Sequence, residues 1–201
     1  MDRQTLKELI LQSLEHERGG VNVYRAAIDA AVNEDLREEW SKYLEQTRRH
    51  VQILESVCKK FEIDAESASA GRKIVHDLGV ALVAAMREAQ SAGNPAAAQI
   101  VAAECVTLAE TKDHADWELL TKCAAQLSGE QEAALGEACE EVEDQEDEHL
   151  YHTKGWAREL WIESLGMKAV LPPPEEVKKV ETAIGAARAE QARTQMASSR
   201  K

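Results

Sequence analysis

The chain has 201 residues, with 37 acidic and 24 basic side chains and a formal net charge of −13 at pH 7. This charge argues against a nucleic-acid partner or an anionic membrane surface, because both favour clusters of lysine and arginine. The N-terminus has the pattern of an amphipathic helix and not of a signal peptide, and no apolar run approaches the ~18 residues of a membrane span. The four cysteines form no C-x-x-C pair. These features predict a cytoplasmic protein with reduced thiols and no membrane partner.

Alanine, leucine and glutamate dominate the composition, and only 4% of the residues are aromatic, which is typical of an all-α protein. Apolar residues recur in alternating steps of four and three along four segments, and this period predicts four long helices that each bury one stripe. We expect these helices over about 4–32, 35–61, 96–127 and 130–165. The short connection after the first makes the second its antiparallel neighbour.

Residues 62–94 have alanine, serine and glycine at their ends and an amphipathic pattern between. We interpret them as a crossover with its own helix, long enough to travel the length of a bundle. The predicted bundle therefore spans residues 1–170.

Residues 171–201 form the predicted C-terminal appendage. Leu171-Pro-Pro-Pro174 interrupts any helix. The pattern over 175–191 then predicts one short amphipathic helix, too weak to fold alone, which docks on the bundle or on a second subunit. A homodimer is the expected assembly, and we expect residues 193–201 to fray.

Each of the four apolar stripes contains polar residues near its middle. They are Glu17 in the first helix, Thr47 and His50 in the second, Glu110 and His114 in the third, and Glu146 and His149 in the fourth. Helix midpoints stay level in an antiparallel bundle, so we expect these side chains to meet in one central layer. An unpaired buried carboxylate costs several kcal/mol, so some group must compensate for it.

Three carboxylates and three imidazoles form a ligand set suited to iron, manganese, cobalt or zinc. The alternative is a buried network of hydrogen bonds and ion pairs without a metal. No lysine or arginine is predicted in the layer to neutralise the carboxylates, which favours the metal. Tyr24 and Trp117 follow Glu17 and Glu110 by seven residues and are expected beside the ligands, either as core residues or as partners of the site.

With these motifs the chain resembles the ferritin-like superfamily, in particular the rubrerythrin-like di-iron carboxylate proteins, over about 4–61 and 96–165. The motifs that carry the resemblance are Glu17-x6-Tyr24, Thr47-x-x-His50, Glu110-x6-Trp117 and Glu146-x-x-His149. The resemblance implies a ferritin-like antiparallel four-helix bundle with a long helical crossover between the second and third helices. It also implies metal ligation by Glu17, His50, Glu110, Glu146 and His149.

The sequence departs from the family pattern at Thr47, where the family has a bridging glutamate. We expect His114 to offset this loss as an extra ligand. The resemblance implies iron, as a pair or a single ion, with manganese or zinc as alternatives and oxygen or peroxide as reactants.

We therefore consider three alternative functions. They are an oxidoreductase or ferroxidase, a metal-binding protein without turnover, and a stress-related helical scaffold with a degenerate site. No catalytic residue is predicted apart from the ligands.

Overall fold

The computed structural model describes residues 1–199, which form seven helices and no strands. The helices are α1 (Arg3–Ala30), α2 (Glu34–Lys60), α3 (Ala70–Ser91), α4 (Pro95–Ala124), α5 (Glu130–Ser164), α6 (Pro174–Val177) and α7 (Ala183–Ser199). The all-α prediction is confirmed. The four long predicted helices correspond to α1, α2, α4 and α5.

Side-chain caps fix the starts of the first four helices. The capping residues are Asp2, Asn33, Ser69 and Asn94, and the side-chain oxygen of each accepts a hydrogen bond from a backbone amide three residues later. These bonds satisfy amides that have no partner within the first turn of a helix. At α4, Pro95 follows the cap as the first helical residue, where its missing N–H costs nothing. All four long helices begin within one residue of their predicted starts, although α5 follows Gly129 without a side-chain cap.

The helices α1, α2, α5 and α4 form a closed ring in which each contacts the next. One apolar cluster contains the N-terminal halves of α1 and α5 and the C-terminal halves of α2 and α4. A second cluster contains the opposite halves of the same helices. Neighbouring helices in the ring are therefore antiparallel, and the layer between the clusters lies at the middle of all four.

The crossover contains α3, which packs against α1 and α4. Because α2 ends at one end of the ring and α4 begins at the other, the chain must return along the whole bundle. The 22 residues of α3 cover about 33 Å at roughly 1.5 Å per residue, which is enough. The two helices α1 and α3 approach closely at Gly19 and Gly79, where a Cβ added to Gly79 would lie 3.6 Å from the Gly19 Cα. A Cβ at either position would make an ordinary van der Waals contact, so the backbones of α1 and α3 meet here without requiring a glycine at position 19.

The C-terminal segment differs from its prediction. The single helix expected over 175–191 is divided into α6 and α7, because the chain turns through Lys179, which has a φ of 49°. Helix α7 continues to Ser199, so most of the segment expected to fray is helical, while residues 200–201 lie outside the described part of the chain. The segment packs on α5. The expected homodimer stays a prediction.

Ion pairs fasten this segment to α5. Arg158 Nη1 lies 2.7 Å from Glu175 Oε1, and Arg193 Nε lies 2.6 Å from the fully buried Glu159. Among residues 1–199, no helix combines the length and the apolar composition needed to cross a membrane.

Candidate metal centre

Five of the predicted ligands meet between the two apolar clusters. They are Glu17 on α1, His50 on α2, Glu110 on α4, and Glu146 and His149 on α5, and each is at most 3% exposed. They come together because the buried stripe of each helix passes through its midpoint at this level.

The five side chains form two groups of three that share Glu146. In the groups Glu17–His50–Glu146 and Glu110–Glu146–His149, the potential ligand atoms all lie within 4.8 Å of one another. His50 Nδ1 is 2.9 Å from Glu146 Oε1 and 3.4 Å from Glu17 Oε1. His149 Nδ1 is 3.5 Å from Glu110 Oε2 and 3.6 Å from Glu146 Oε1. The arrangement therefore offers two adjacent positions with one carboxylate between them.

The atoms that face this centre lack hydrogen-bond partners. They are both carboxylate oxygens of Glu146, one oxygen each of Glu17 and Glu110, and Nδ1 of His50 and His149. Buried polar atoms are almost always paired, since leaving one unpaired costs about 1–3 kcal/mol. The close charged neighbours of these six atoms are other groups of the same layer. Three carboxylates and two imidazoles that converge on one layer match the donor set of a transition-metal cation, so the residues present fit a metal.

No lysine or arginine among residues 1–199 forms an ion pair with the carboxylates of this layer. Within residues 1–199, the charged partners of Glu17, Glu110 and Glu146 within 4 Å are the imidazoles of His50 and His149. Burial raises the pKa of Glu110 and of Glu146 to about 7, so these carboxyls hold a proton more strongly than exposed ones.

Without a metal, the pKa values of His50 and His149 shift in opposite directions. Burial lowers the pKa of His149 to about 4. Burial opposes the charged form of His50 as well, but the negative charges of Glu17 and Glu146 outweigh it and raise the His50 pKa well above its ordinary value. A protonated His50 therefore compensates part of the layer when no cation is bound.

Two glutamines fix the orientation of the histidines. Gln145 Oε1 lies 3.1 Å from His50 Nε2, and Gln46 Oε1 lies 3.0 Å from His149 Nε2. With each amide oxygen as acceptor, Nε2 carries the proton and donates it, while Nδ1 keeps its lone pair for the layer. Sequence analysis missed this pair. A direct alignment of α2 with α5 could have found it, because each glutamine comes directly before Thr47 or Glu146.

The three residues predicted beside the ligands take different positions. Trp117 donates its indole N–H to Glu17 Oε1 at 2.9 Å. Tyr24 is fully buried, and its ring meets the His149 ring edge-on at a centroid distance of 5.9 Å. Thr47 donates its hydroxyl to the backbone oxygen of Tyr43 at 2.9 Å, so this hydroxyl is used within α2.

The structure corrects the predicted position of His114, which does not join the central layer. Its side chain is 22% exposed, and its Nε2 lies 2.7 Å from Asp147 Oδ1. The predicted positions Glu110 and Trp117 are buried, but the buried face of α4 also includes Val106, Asp113 and Leu120 on the side away from His114. The buried face is wider than predicted because α4 packs against α1 and α3 as well as α5. His114 therefore does not replace the missing bridging carboxylate.

Asp113 occupies the buried position that His114 was expected to hold. It is 4% exposed, and its Oδ1 has no hydrogen-bond partner. Burial, and then the charges of Glu17 and Glu146, raise its pKa well above the ordinary value. The layer thus borders a further buried carboxyl group that the sequence period did not indicate.

A second polar network adjoins His149 on its outer side. The Tyr43 ring lies 4.1 Å from the His149 ring between centroids. The Tyr43 hydroxyl donates to Glu39 Oε1 at 2.6 Å, and His152 Nδ1 lies 2.8 Å from the same oxygen. A buried tyrosine therefore links the central layer to a carboxylate that accepts its hydrogen bond.

Comparisons with protein-family models, with curated proteins and with solved structures found no match to this chain.

Proposed function

We propose that this protein binds a pair of transition-metal ions in a ferritin-like four-helix bundle of the rubrerythrin-like kind. The observation that carries the proposal is the convergence of three carboxylates and two imidazoles on one buried layer. The ring of antiparallel helices, closed by a helical crossover between α2 and α4, supports the ferritin-like assignment.

The ligands divide into two equivalent sets. Glu17 and His50 hold one position, Glu110 and His149 hold the other, and Glu146 lies between them. Carboxylate and imidazole donors suit iron and manganese, and also zinc. Iron is the proposed native metal, because the resemblance is to di-iron carboxylate proteins.

The charge balance distinguishes this site from the family pattern. The family supplies four glutamates, one from each helix, whereas this layer has three because Thr47 replaces the fourth. Two divalent ions bring four positive charges, so the site retains an excess positive charge when both positions are filled. An anionic ligand from solution would complete the balance.

Elemental analysis of protein purified without a chelator tests this proposal. We expect about two ions per chain in the wild type and a loss of both in Glu146→Gln, because both positions share this carboxylate. The matched control is Glu141→Gln, which makes the same change on the same helix at an exposed ion pair with Arg49. A wild-type protein that contains no metal, and binds no added iron, manganese or zinc, would refute the proposal.

Redox turnover is the second candidate function, and Tyr43 favours it. A bound iron or manganese pair supplies one-electron steps with oxygen or peroxide that side chains alone lack. Tyr43 contacts the His149 ring and hydrogen-bonds Glu39, so it could deliver an electron while Glu39 takes its proton. No electron-transfer centre of another kind is evident in the described residues, so the donor would be external.

Anaerobic loading with Fe(II), followed by addition of air or peroxide, separates the functions. Oxidant-dependent formation of Fe(III) supports an oxidoreductase or ferroxidase. Slower re-reduction of this Fe(III) by an added electron donor in Tyr43→Phe supports electron delivery through Tyr43. Bound metal without any oxidant-dependent change supports a metal-binding protein without turnover. Absence of metal binding supports a helical scaffold with a degenerate site.

A further inference from the structure

A pocket of about 200 Å³ opens beside the central layer between α4 and α5. Its inner wall includes Glu146, which is 1% exposed and whose two carboxylate oxygens have no hydrogen-bond partner. Its outer wall includes Thr182 and Ala183, from the C-terminal segment. The pocket therefore extends from the surface to Glu146, the residue shared by the two proposed metal positions, whose carboxylate oxygens are closed to solvent at its inner end.

The pocket presents metal-binding side chains along its length. His114 and Asp147 form a pair at 2.7 Å, with side chains 22% and 17% exposed, and Glu118 and Glu143 are exposed beside them. None of the residues that line this pocket is a lysine or an arginine. Acidic groups in a concave site concentrate cations, and an imidazole beside a carboxylate can replace water in the shell of a transition-metal ion.

A larger groove, of about 590 Å³, lies between α1 and α3 and provides a comparison. It is lined in part by Arg25 and Arg87, which repel cations, and by none of the five central ligands. It also contains an exposed pair, His76 Nδ1 at 2.9 Å from Glu15 Oε1. A histidine–carboxylate pair is therefore present in both places, but only the smaller pocket leads to an unpaired buried carboxylate.

We infer that the pocket between α4 and α5 is the entry route for divalent transition-metal ions, with His114 and Asp147 as a transient binding station before Glu146. This inference rests on the proposed function, and it assigns His114 a role in loading and not in the final coordination. The C-terminal segment forms the outer wall of the route, so its docking on α5 helps to define the opening.

Stopped-flow loading of metal-free protein with Co(II), followed by its visible absorption, tests the route at low ionic strength. The variants are His114→Gln and Asp147→Asn, alone and combined, and each keeps a hydrogen-bonding side chain. We expect the combined variant to load about tenfold more slowly, within the range of electrostatic steering, and to reach the same final cobalt content. The matched control is His76→Gln, which should load at the wild-type rate.

Three outcomes contradict the inference, and they are distinguishable. An unchanged loading rate in the combined variant means that cations enter elsewhere. A lower final cobalt content or weaker equilibrium binding means that His114 or Asp147 belongs to the final site. A wild-type protein that binds no cobalt at all removes the proposed function itself, and the entry route with it.

Discussion

The two helix pairs of the bundle, α1–α2 and α4–α5, carry the same arrangement with one substitution. Glu17 corresponds to Glu110, and the motif Gln46-Thr47-x-x-His50 corresponds to Gln145-Glu146-x-x-His149. Each glutamine orients the histidine of the other motif. The pairs therefore differ at the ligand level in one place, where Thr47 stands opposite Glu146. The proposed site is a nearly symmetric pair of positions whose shared carboxylate, Glu146, comes from α5 alone.

A second difference lies three residues after each single glutamate. Gly20 follows Glu17, and Asp113 follows Glu110. A Cβ at Gly20 would lie 3.2 Å from the methyl group of Thr47, so α1 packs tightly against the substituted position. Asp113 instead adds a buried carboxyl on the α4 side. The missing carboxylate on α2 and the extra one on α4 thus distinguish the two halves.

The largest predicted effect is the loss of one metal ion when either His50 or His149 is replaced, which tests whether the two positions are independent. We expect His50→Ala to lose the ion held with Glu17, and His149→Ala to lose the ion held with Glu110, so each falls from about two ions per chain to about one. The physical reason is that each imidazole belongs to one group, whereas Glu146 belongs to both. Elemental analysis after dialysis against metal-free buffer measures this.

The double variant serves as the internal control for that prediction and should contain no metal. If either single variant loses both ions, the two positions are not independent, and the division into two ligand sets is wrong.

The sequence indicated the layer well on α2 and α5 and less well on α4, for a physical reason. On α5, the residues reached from Leu135 in alternating steps of four and three are all buried: Leu135, Cys139, Val142, Glu146, His149, Thr153, Trp156 and Leu160. On α4 the stripe is wider, because three helices pack against it and small alanines such as Ala102 and Ala109 fill the contacts. Alanine gives a weak period, so a choice between Asp113 and His114 could not be made from spacing alone.

Other features of the site depend on side-chain directions that spacing does not specify. The hydrogen bond from Trp117 to Glu17 joins residues 100 positions apart, and the contact of Gln46 with His149 joins residues 103 positions apart. The helix period places such residues on a common face, but rotamers and tertiary packing decide which atoms meet.

Replacing Gln46 and Gln145 tests whether the two glutamines contribute equally to metal binding by orienting the histidines. We expect Gln46→Met and Gln145→Met each to weaken metal affinity about 10- to 100-fold, because each histidine loses the acceptor that fixes its tautomer. Isothermal titration with Co(II) or Zn(II) measures the affinity of each variant. The control is Gln52→Met, an exposed glutamine on α2. Equal, wild-type affinity in both variants would contradict an orienting role.

A glutamate at position 47 would restore the missing carboxylate and should strengthen metal binding. We expect Thr47→Glu to bind the metal pair about tenfold more tightly than Thr47→Gln, because both variants add the same volume but one adds a negative charge near two cations. Both variants meet the same tight packing of α1 against position 47 at Gly20, so this packing cancels in the comparison between them. Competition titration against a chelator measures the difference, and equal affinities would show that charge is not limiting at this position.

The smallest predicted effect is a change in stability at the C-terminal half of α5. The C-terminal segment, with α6 and α7, packs on this helix, whereas α1 packs against α3. The indole N–H of Trp156 donates to Glu39 Oε2 at 2.8 Å and to Glu176 Oε2 at 2.7 Å. Burial, and then the charge of Glu39, raise the pKa of Glu176 from 4.5 to about 7. A carboxyl with a raised pKa contributes its stability fully below about pH 4.5, and the contribution is lost as pH rises through about 7.

The variant Glu176→Gln keeps an oxygen for Trp156 but cannot become charged, so it should match the wild type near pH 4.5. By pH 8 it should be the more stable protein by about 1 kcal/mol, because it avoids the like charges at Glu39 and Glu176. Urea unfolding of both metal-free proteins between pH 4.5 and 8 measures this gap, and the pH dependence of the central carboxyls cancels in the difference. The matched control is Glu181→Gln, which makes the same change at an exposed glutamate of the same segment. If the difference in stability between Glu176→Gln and the wild type depends on pH no more than that of the control, Glu176 does not couple the docking of the C-terminal segment to pH.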